Sequence, residues 1–139
     1  MAAVQIKTDI SLDEYEFVDT DGKVLFSVAF NPADINIIRR YEKVVEEIEK
    51  IDLSSFGEET AAALENAEKK LGEQLDLLLN ADVSNRIFSV MSPFTPLANG
   101  KLYAEEIIEK IGSVIEAETG KRLKKVQNRI GKYTAKYRK

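Results

Sequence analysis

A change in the spacing of apolar residues at position 31 constrains the fold more than any other feature of this chain. Before it, apolar side chains recur at every second position, as in a strand with one buried face. After it, they recur every three or four positions, as in an amphipathic helix. Asn31 and Pro32 mark the boundary, because Asn caps helices and Pro is favoured in their first turn. The spacing therefore predicts an α+β protein, mainly α, with a β-hairpin or small antiparallel sheet followed by a helical bundle.

The first 30 residues predict two β regions. Apolar and polar side chains alternate over residues 4–12 and again over residues 24–30. Between them, the Asp and Gly residues of 19–22 are typical of a tight turn, so residues 15–30 are predicted to form a β-hairpin. We expect β structure over residues 4–30, with its Phe-rich face packed on helices, because an isolated hairpin is only marginally stable.

The remainder of the chain predicts helices joined by short breaks. Their expected spans are 33–51, 58–79, 83–88 and 102–119, and residues 1–120 are expected to form a single domain. The apolar stripes of these helices, with Phe88, predict the core: Ile37, Tyr41, Val44, Ile48, Leu64, Leu71, Leu75, Leu78, Phe88, Ile108, Ile111 and Ile115.

Two residues near the middle of the chain have a predicted local role. Gly72 lies inside the second predicted helix, where glycine is unfavourable, and it indicates a close contact with another helix. Asp82 precedes the short third helix and is predicted to cap it.

The last 19 residues differ in charge from the rest of the protein. They contain nine Lys and Arg residues and no acidic residue, whereas the first 120 residues carry 11 basic and 24 acidic side chains, a net charge of −13. An apolar row with 3-4-3-4 spacing runs through the same segment. Residues 121–139 are therefore predicted to be a basic amphipathic helix or tail, and the sequence leaves open whether Gly120 interrupts the helix. The predicted partner-binding residues are Leu123, Val126, Arg129, Ile130, Lys132, Tyr133, Lys136 and Tyr137.

Two uses of this basic segment stay open. It either lies on the acidic body of its own chain or of a neighbouring copy, or it binds an acidic partner. Nucleic acid is a poorer partner, because a body of net charge −13 repels phosphate. We therefore expect protein partners, including a homo-oligomer.

The absence of two residue types excludes several kinds of chemistry. The chain has no Cys and no His, so disulfides, zinc-thiolate sites and His-dependent catalysis are excluded. Glu105, Glu106 and Glu109 are interpreted as a solvated helix face and not as a metal site. No run of apolar residues is long enough to span a membrane or to form a secretory signal. We therefore expect a soluble cytoplasmic protein that is not an enzyme and has no cofactor, metal or membrane partner.

The order of these elements resembles a known family. The residues that carry the resemblance are Tyr15-Glu16-Phe17, Asp21-Gly22, Phe30-Asn31-Pro32-Ala33-Asp34, Ile87-Phe88 and Asn128-Arg129-Ile130-Gly131-Lys132-Tyr133. With the helical body between them, the chain is similar over nearly its whole length to the small tail assembly chaperones of long-tailed bacteriophages and prophages of Gram-positive hosts. This resemblance implies a non-enzymatic helper in the bacterial host cytoplasm that binds the tape-measure protein and helps recruit tail-tube subunits. The family has no catalytic residues to transfer, and in many phages a frameshift gives a second, longer form.

A second functional class remains as an alternative. In that interpretation, the chain is a small adaptor or regulatory protein whose basic C-terminal helix binds nucleic acid or an acidic partner. Salt dependence separates the two, because phosphate contacts weaken steeply with salt and the covering of an apolar helix does not.

Overall fold

A two-stranded antiparallel sheet occupies the N-terminal part of the protein. The computed structural model describes the backbone of residues 2–50 and 61–137 and the side chains of residues 2–50 and 62–130. Within these residues the elements follow the order β1 (Asp13–Val18), β2 (Val24–Phe30), α1 (Ile35–Glu49), α2 (Ala61–Leu79), α3 (Ser84–Phe88) and α4 (Tyr103–Tyr137). This order confirms the predicted α+β class, mainly α.

The hairpin is built as the alternation predicts. Its turn is closed by Asp19, whose side chain accepts hydrogen bonds from two backbone N–H groups at 2.9 Å, and by Gly22 with φ 85°. Phe17 lies opposite Phe26, and their rings stack with centroids 4.7 Å apart. The inward face of β2 is buried, whereas the Phe17 face of β1 is partly buried. The hairpin therefore supplies one wall of the core.

The predicted β structure begins too early in the chain. Residues 4–12 form no strand, every residue from 2 to 12 is exposed, and the backbone bends at Asp9. The pairing of β1 with β2 starts at Asp13 opposite Phe30, and two residues later Pro32 has no N–H to donate. In the part of the chain that the structure describes, no strand lies beside this segment, and alternation alone does not make a sheet.

The predicted cap of α1 is also placed three residues too early. Asp34, not Asn31, is the N-cap, and its side chain accepts a hydrogen bond from the N–H of Asn36 at 3.0 Å. The Asn31 side chain accepts from the N–H of Ala33 at 3.1 Å, so it stabilises the turn before the helix. The helix begins at Ile35 because the Asp34 carboxylate provides the nearest acceptor for its free N–H groups.

The contact between α2 and α3 confirms one prediction and corrects another. A Cβ at Gly72 would lie 3.2 Å from Ser84 Cβ, so glycine does mark a close helix contact. The cap of α3 is not Asp82, because its N-cap residue, Val83, makes no side-chain cap hydrogen bond. Instead the Asp76 carboxylate of α2 accepts the N–H groups of Val83 and Ser84 at 2.9 and 2.7 Å. One helix therefore caps the next.

The predicted core lies where the apolar stripes meet. Eight of the twelve predicted residues are buried: Ile37, Val44, Leu71, Leu75, Leu78, Ile108, Ile111 and Ile115. The other four are partly buried against the same cluster: Tyr41, Ile48, Leu64 and Phe88. The loop before α4 adds buried Phe94, and the Tyr103 hydroxyl donates a 2.7 Å hydrogen bond to the Ile87 carbonyl. Burial raises the pKa of Tyr103 to about 12.

Candidate protein-binding surface

α4 is one continuous helix that differs sharply between its two halves. It runs through Gly120 without interruption, and its 35 residues correspond to a length of about 52 Å. The proximal half, residues 103–120, packs on the body through Ile107, Ile108, Ile111 and Ile115. In the distal half, residues 121–137, every described side chain from 121 to 130 is exposed. The helix therefore extends beyond the body that it helps to build.

Among the described residues, the hydrogen bonds between α4 and the body that lie farthest along the helix are those of Arg122. Its guanidinium donates hydrogen bonds to the Asn31 side chain at 3.1 Å and to the Asp13 carboxylate at 3.0 Å. One turn earlier, the Thr119 hydroxyl donates to the Pro32 carbonyl at 3.2 Å. These bonds connect α4 to the start of β1 and to the loop before α1. Beyond them, the described side chains of residues 123–130 are exposed.

A phenol beside this junction, that of Tyr15, has a raised pKa. Tyr15 packs against Phe30 with ring centroids 5.0 Å apart. Burial raises the pKa of the Tyr15 hydroxyl, and the negative charges of Asp13 and Glu118 raise it further, whereas Arg122 acts in the opposite direction. The phenol is therefore neutral beside a cluster of paired charges.

The distal half presents an uncovered apolar row. Leu123, Val126 and Ile130 are 45%, 41% and 51% exposed. At 100° per residue, Leu123 and Ile130 lie about 60–80° around the helix from Ile115, whereas Val126 lies on the same side as Ile108. Five basic residues and no acidic residue accompany this row: Lys121, Arg122, Lys124, Lys125 and Arg129. The surface is thus apolar along one line and positively charged around much of the rest of the helix.

The structure describes only part of the predicted partner-binding set. It places Leu123, Val126, Arg129 and Ile130 together on the exposed helix. The helical backbone continues to Tyr137, but the side chains of Lys132, Tyr133, Lys136 and Tyr137 lie outside the described residues. Phe56, predicted from its type to be a core residue, also lies outside them.

A second exposed apolar segment leaves the body at the same place. Val4, Ile6, Ile10 and Leu12 are 65–89% exposed, and Leu12 directly precedes Asp13, the partner of Arg122. Sequence reasoning assigned this segment to the sheet and so overlooked it as a surface. A usable signal was present, because the apolar alternation shifts by one position between Leu12 and Tyr15.

The carboxylates near the start of α4 have structural roles. The Glu105 side chain accepts the N–H of Leu102 at 3.1 Å, and Glu106 accepts the Asn99 amide at 3.1 Å. Glu109 pairs with Lys101, and this hydrogen bond raises the pKa of the Lys101 ammonium. Across the described residues, no group of three or more Asp and Glu side chains is placed to hold a metal ion. These glutamates hold the start of the helix and the loop before it.

An open groove of about 370 Å³ lies between α2 and α3. It is lined mainly by acidic and small polar side chains, including Glu68, Glu73 and Asp76, with Phe88 at one side. The Asp76 carboxylate accepts hydrogen bonds from the backbone N–H and the hydroxyl of Ser84 in α3, so its role here is to hold the two helices together. The groove adds negative charge to the body, opposite in sign to the distal half of α4.

Two searches, one for membrane-spanning helices among the described residues and one for similar proteins, gave no match. In the part of the chain that the structure describes, no helix has both the length and the apolar character needed to cross a bilayer. In comparisons with known proteins, no family model, no curated protein sequence and no solved structure matches the chain.

Proposed function

We propose that the protein is a non-enzymatic assembly helper that holds an amphipathic helix of a partner against the distal half of α4. One observation supports this most directly. Leu123, Val126 and Ile130 form an apolar row on a helix that is anchored in the body and uncovered beyond it. An apolar row that is built on a rigid element and left exposed is typical of helix-in-groove recognition.

The charge of the distal half defines the partner. Five basic residues between 121 and 130 surround the row, so the partner helix needs acidic residues beside its own apolar stripe. Two distal halves do not suit each other, because neither carries an acidic residue and like charges would meet along a coiled coil. The partner is therefore an acidic amphipathic helix.

The resemblance to phage tail assembly chaperones gives this partner an identity. We propose that it is the tape-measure protein, whose long amphipathic helices need their apolar stripes covered until the tail-tube subunits are recruited around them. A chaperone for such a helix needs a long, exposed, reversible surface and no catalytic residue. The distal half of α4 has the required length, about 25 Å for 17 residues.

The test is capture of a purified tape-measure fragment by the full-length chain. We expect Val126→Asp with Ile130→Asp to reduce capture at least tenfold, because both side chains lie in the row. The matched control is Ile38→Asp on α1, which is 39% exposed, close to the 41% of Val126. Equal loss in the control, or no loss in the double variant, would refute the proposed surface.

Salt dependence tests the alternative of an adaptor that binds nucleic acid. Its supporting observation is the concentration of Lys121, Lys124, Lys125 and Arg129 on one exposed helix. Binding to duplex DNA that falls steeply between 50 and 200 mM salt, together with no capture of the tape-measure fragment, would favour this alternative. Capture of the fragment that weakens much less steeply than DNA binding over the same range supports the covering of an apolar helix with charged residues at its border.

A further inference from the structure

Residues 4–12 form a strand-like segment without a sheet. Their apolar side chains share one side of an extended chain, since Val4, Ile6, Ile10 and Leu12 all have even numbers, and Thr8 lies among them. All are exposed, Val4 by 89% and Leu12 by 65%. β-branched residues at alternate positions favour strand pairing, so the segment has the pattern of a strand and lacks only a partner.

The segment cannot use its own hairpin as that partner. β2 ends at Phe30, opposite Asp13, and Pro32 cannot donate a ladder hydrogen bond. The phase is also wrong, because the core-facing residues of β1 are the odd-numbered Tyr15 and Phe17. A straight extension of β1 would turn the apolar row of 4–12 away from its own core.

The segment is complementary to itself when two copies run antiparallel about Thr8. In that register the two residue numbers in each pair add to 16, so Val4 faces Leu12, Ile6 faces Ile10 and Thr8 faces Thr8 of the second copy. On the other side, Gln5 faces Ser11, and Lys7, the only basic residue of the segment, faces Asp9, its only acidic residue. We infer that residues 4–12 are a dimerisation strand whose partner is the same segment of a second copy of this chain.

Charge selects this arrangement over its competitors. A parallel pairing in register would place Lys7 on Lys7 and Asp9 on Asp9, and like charges directly opposite each other are destabilising. The antiparallel pairing instead makes the Lys7–Asp9 pair twice, once on each side of a two-fold axis. An isologous contact of this kind closes after two copies and does not continue into a fibre.

The resulting ribbon is supported at both ends. Each strand continues through Asp13 into β1, so the ribbon joins two hairpins and is not an isolated pair. Pairing straightens the bend at Asp9 and gathers eight apolar side chains on one face. Because Arg122 is bonded to Asp13, each strand of the ribbon leaves the body beside the start of the distal half of α4. The dimer does not depend on the proposed function, since it needs no other protein.

Charge exchange tests the pairing and its register. Self-association is measured by sedimentation equilibrium for the full chain and for Lys7→Asp and Asp9→Lys, each of which replaces two attractive pairs with two repulsive ones. We expect each variant to dimerise about tenfold more weakly than the unaltered chain, and an equimolar mixture of the two to recover dimers, since the mixed pair restores both attractions. The double variant recovers the dimer in the same way. A monomeric unaltered chain at all accessible concentrations, or variants that dimerise equally well alone, would overturn the inference.

Cross-linking locates the two-fold axis. The chain has no Cys, so Thr8→Cys introduces a single thiol, which the proposed register places directly opposite its counterpart at the 4.5–5.5 Å Cα separation of paired strands. Mild oxidation should give disulfide-linked dimers. The matched control Val4→Cys is on the same face, but its counterpart lies eight positions away, about 27 Å, and should not cross-link. Equal cross-linking of the two variants would reject the register, and unchanged circular dichroism checks that the body remains folded.

Discussion

The two halves of α4 have similar lengths, and each carries a row of large aliphatic residues, five in the proximal half and three in the distal half, yet the first row packs on the core and the second is exposed. Seven-residue steps explain the difference. Ile108 and Ile115 face the body, and the next positions on the same side of the helix are Arg122, Arg129 and Lys136. Basic residues thus enter the core-facing side of the helix where the body ends. Leu123 and Ile130 lie about 60–80° around the helix from Ile115, whereas Val126 stays in line with Ile108 but is exposed. A helix can therefore change its role along its length without changing its backbone.

The largest expected difference between the two halves is in the free energy of unfolding when one isoleucine of each is truncated to alanine. Ile111 is fully buried and Ile130 is 51% exposed on the same helix. We expect Ile111→Ala to lower the free energy of unfolding by about 3 kcal/mol, through lost burial and a cavity, and Ile130→Ala to change it by less than about 0.5 kcal/mol. Urea denaturation measures both values. Similar losses in the two variants would mean that the distal half is part of the core after all.

Matched glycines provide the second comparison. A Cβ at Gly112 would lie 2.6 Å from Tyr41 Cζ and closer still to its hydroxyl, whereas a Cβ at Gly120 has no atom within 4 Å outside its own helix. Gly112→Ala should therefore cost about 1–2 kcal/mol through overpacking, despite alanine's better helix propensity. Gly120→Ala should instead stabilise the protein by up to about 1 kcal/mol. Thermal unfolding measures both, and partial rescue of Gly112→Ala by Tyr41→Phe would identify the Tyr41 hydroxyl as the obstacle.

We expect the stability of the protein to depend on pH through Tyr103, the first residue of the proximal half. Tyr103 is buried and its pKa is about 12, above the 10 of an exposed phenol. The neutral phenol therefore contributes stability that is fully present below pH 10 and is lost as the pH rises from 10 to 12, because the unfolded chain loses its proton first. Tyr103→Phe removes the bond to Ile87 and should cost about 1 kcal/mol at pH 7. Melting temperatures across pH 9–12 should fall more steeply in the unaltered protein than in this variant, and parallel curves would contradict the assignment.

The smallest expected effect is that of removing the ion pair at the boundary between the two halves. Arg122 and Asp13 form an ion pair at 3.0 Å, but their side chains are 43% and 39% exposed. Solvent screens such a pair, so a double-mutant cycle of Arg122→Ala and Asp13→Asn should give a coupling of about 0.2–1 kcal/mol that weakens with salt. A coupling well above this range would show that the junction holds α4 more firmly than its exposure indicates.

Local patterns predicted most of the body. The hairpin, the helical spans and the buried isoleucines of α4 follow from apolar spacing, because each element needs one face that water does not cover. Two caps were placed incorrectly, since Asn31, Asp34, Asp76 and Asp82 are all good acceptors. Geometry chooses among such acceptors, and the choice of Asp76 brings together residues seven and eight positions apart.

The candidate surfaces were predicted less completely. The basic segment and its apolar row were visible as a pattern, and the structure locates the described part of that row on an exposed helix. The segment of residues 4–12 was assigned to the sheet, because alternation indicates a strand but says nothing about whether another strand lies beside it. The backbone N–H and C=O groups of a strand bond to a neighbouring strand, whereas those of a helix bond within the helix.

By itself, the sequence determined the spacing of the apolar residues and the separation of a basic C-terminal segment from an acidic body. It also determined the absence of thiol and imidazole chemistry. It therefore determined which residues are able to form one-sided helices and strands. The tertiary structure decided which of those apolar faces are covered. Within the described residues, the contacts of the body extend along α4 as far as Arg122 and along the hairpin as far as Asp13, so one-sided aliphatic patterns are buried on one side of these positions and exposed on the other. Burial depends on what lies opposite a face, and that is set by contacts between residues as distant in sequence as Asp13 and Arg122.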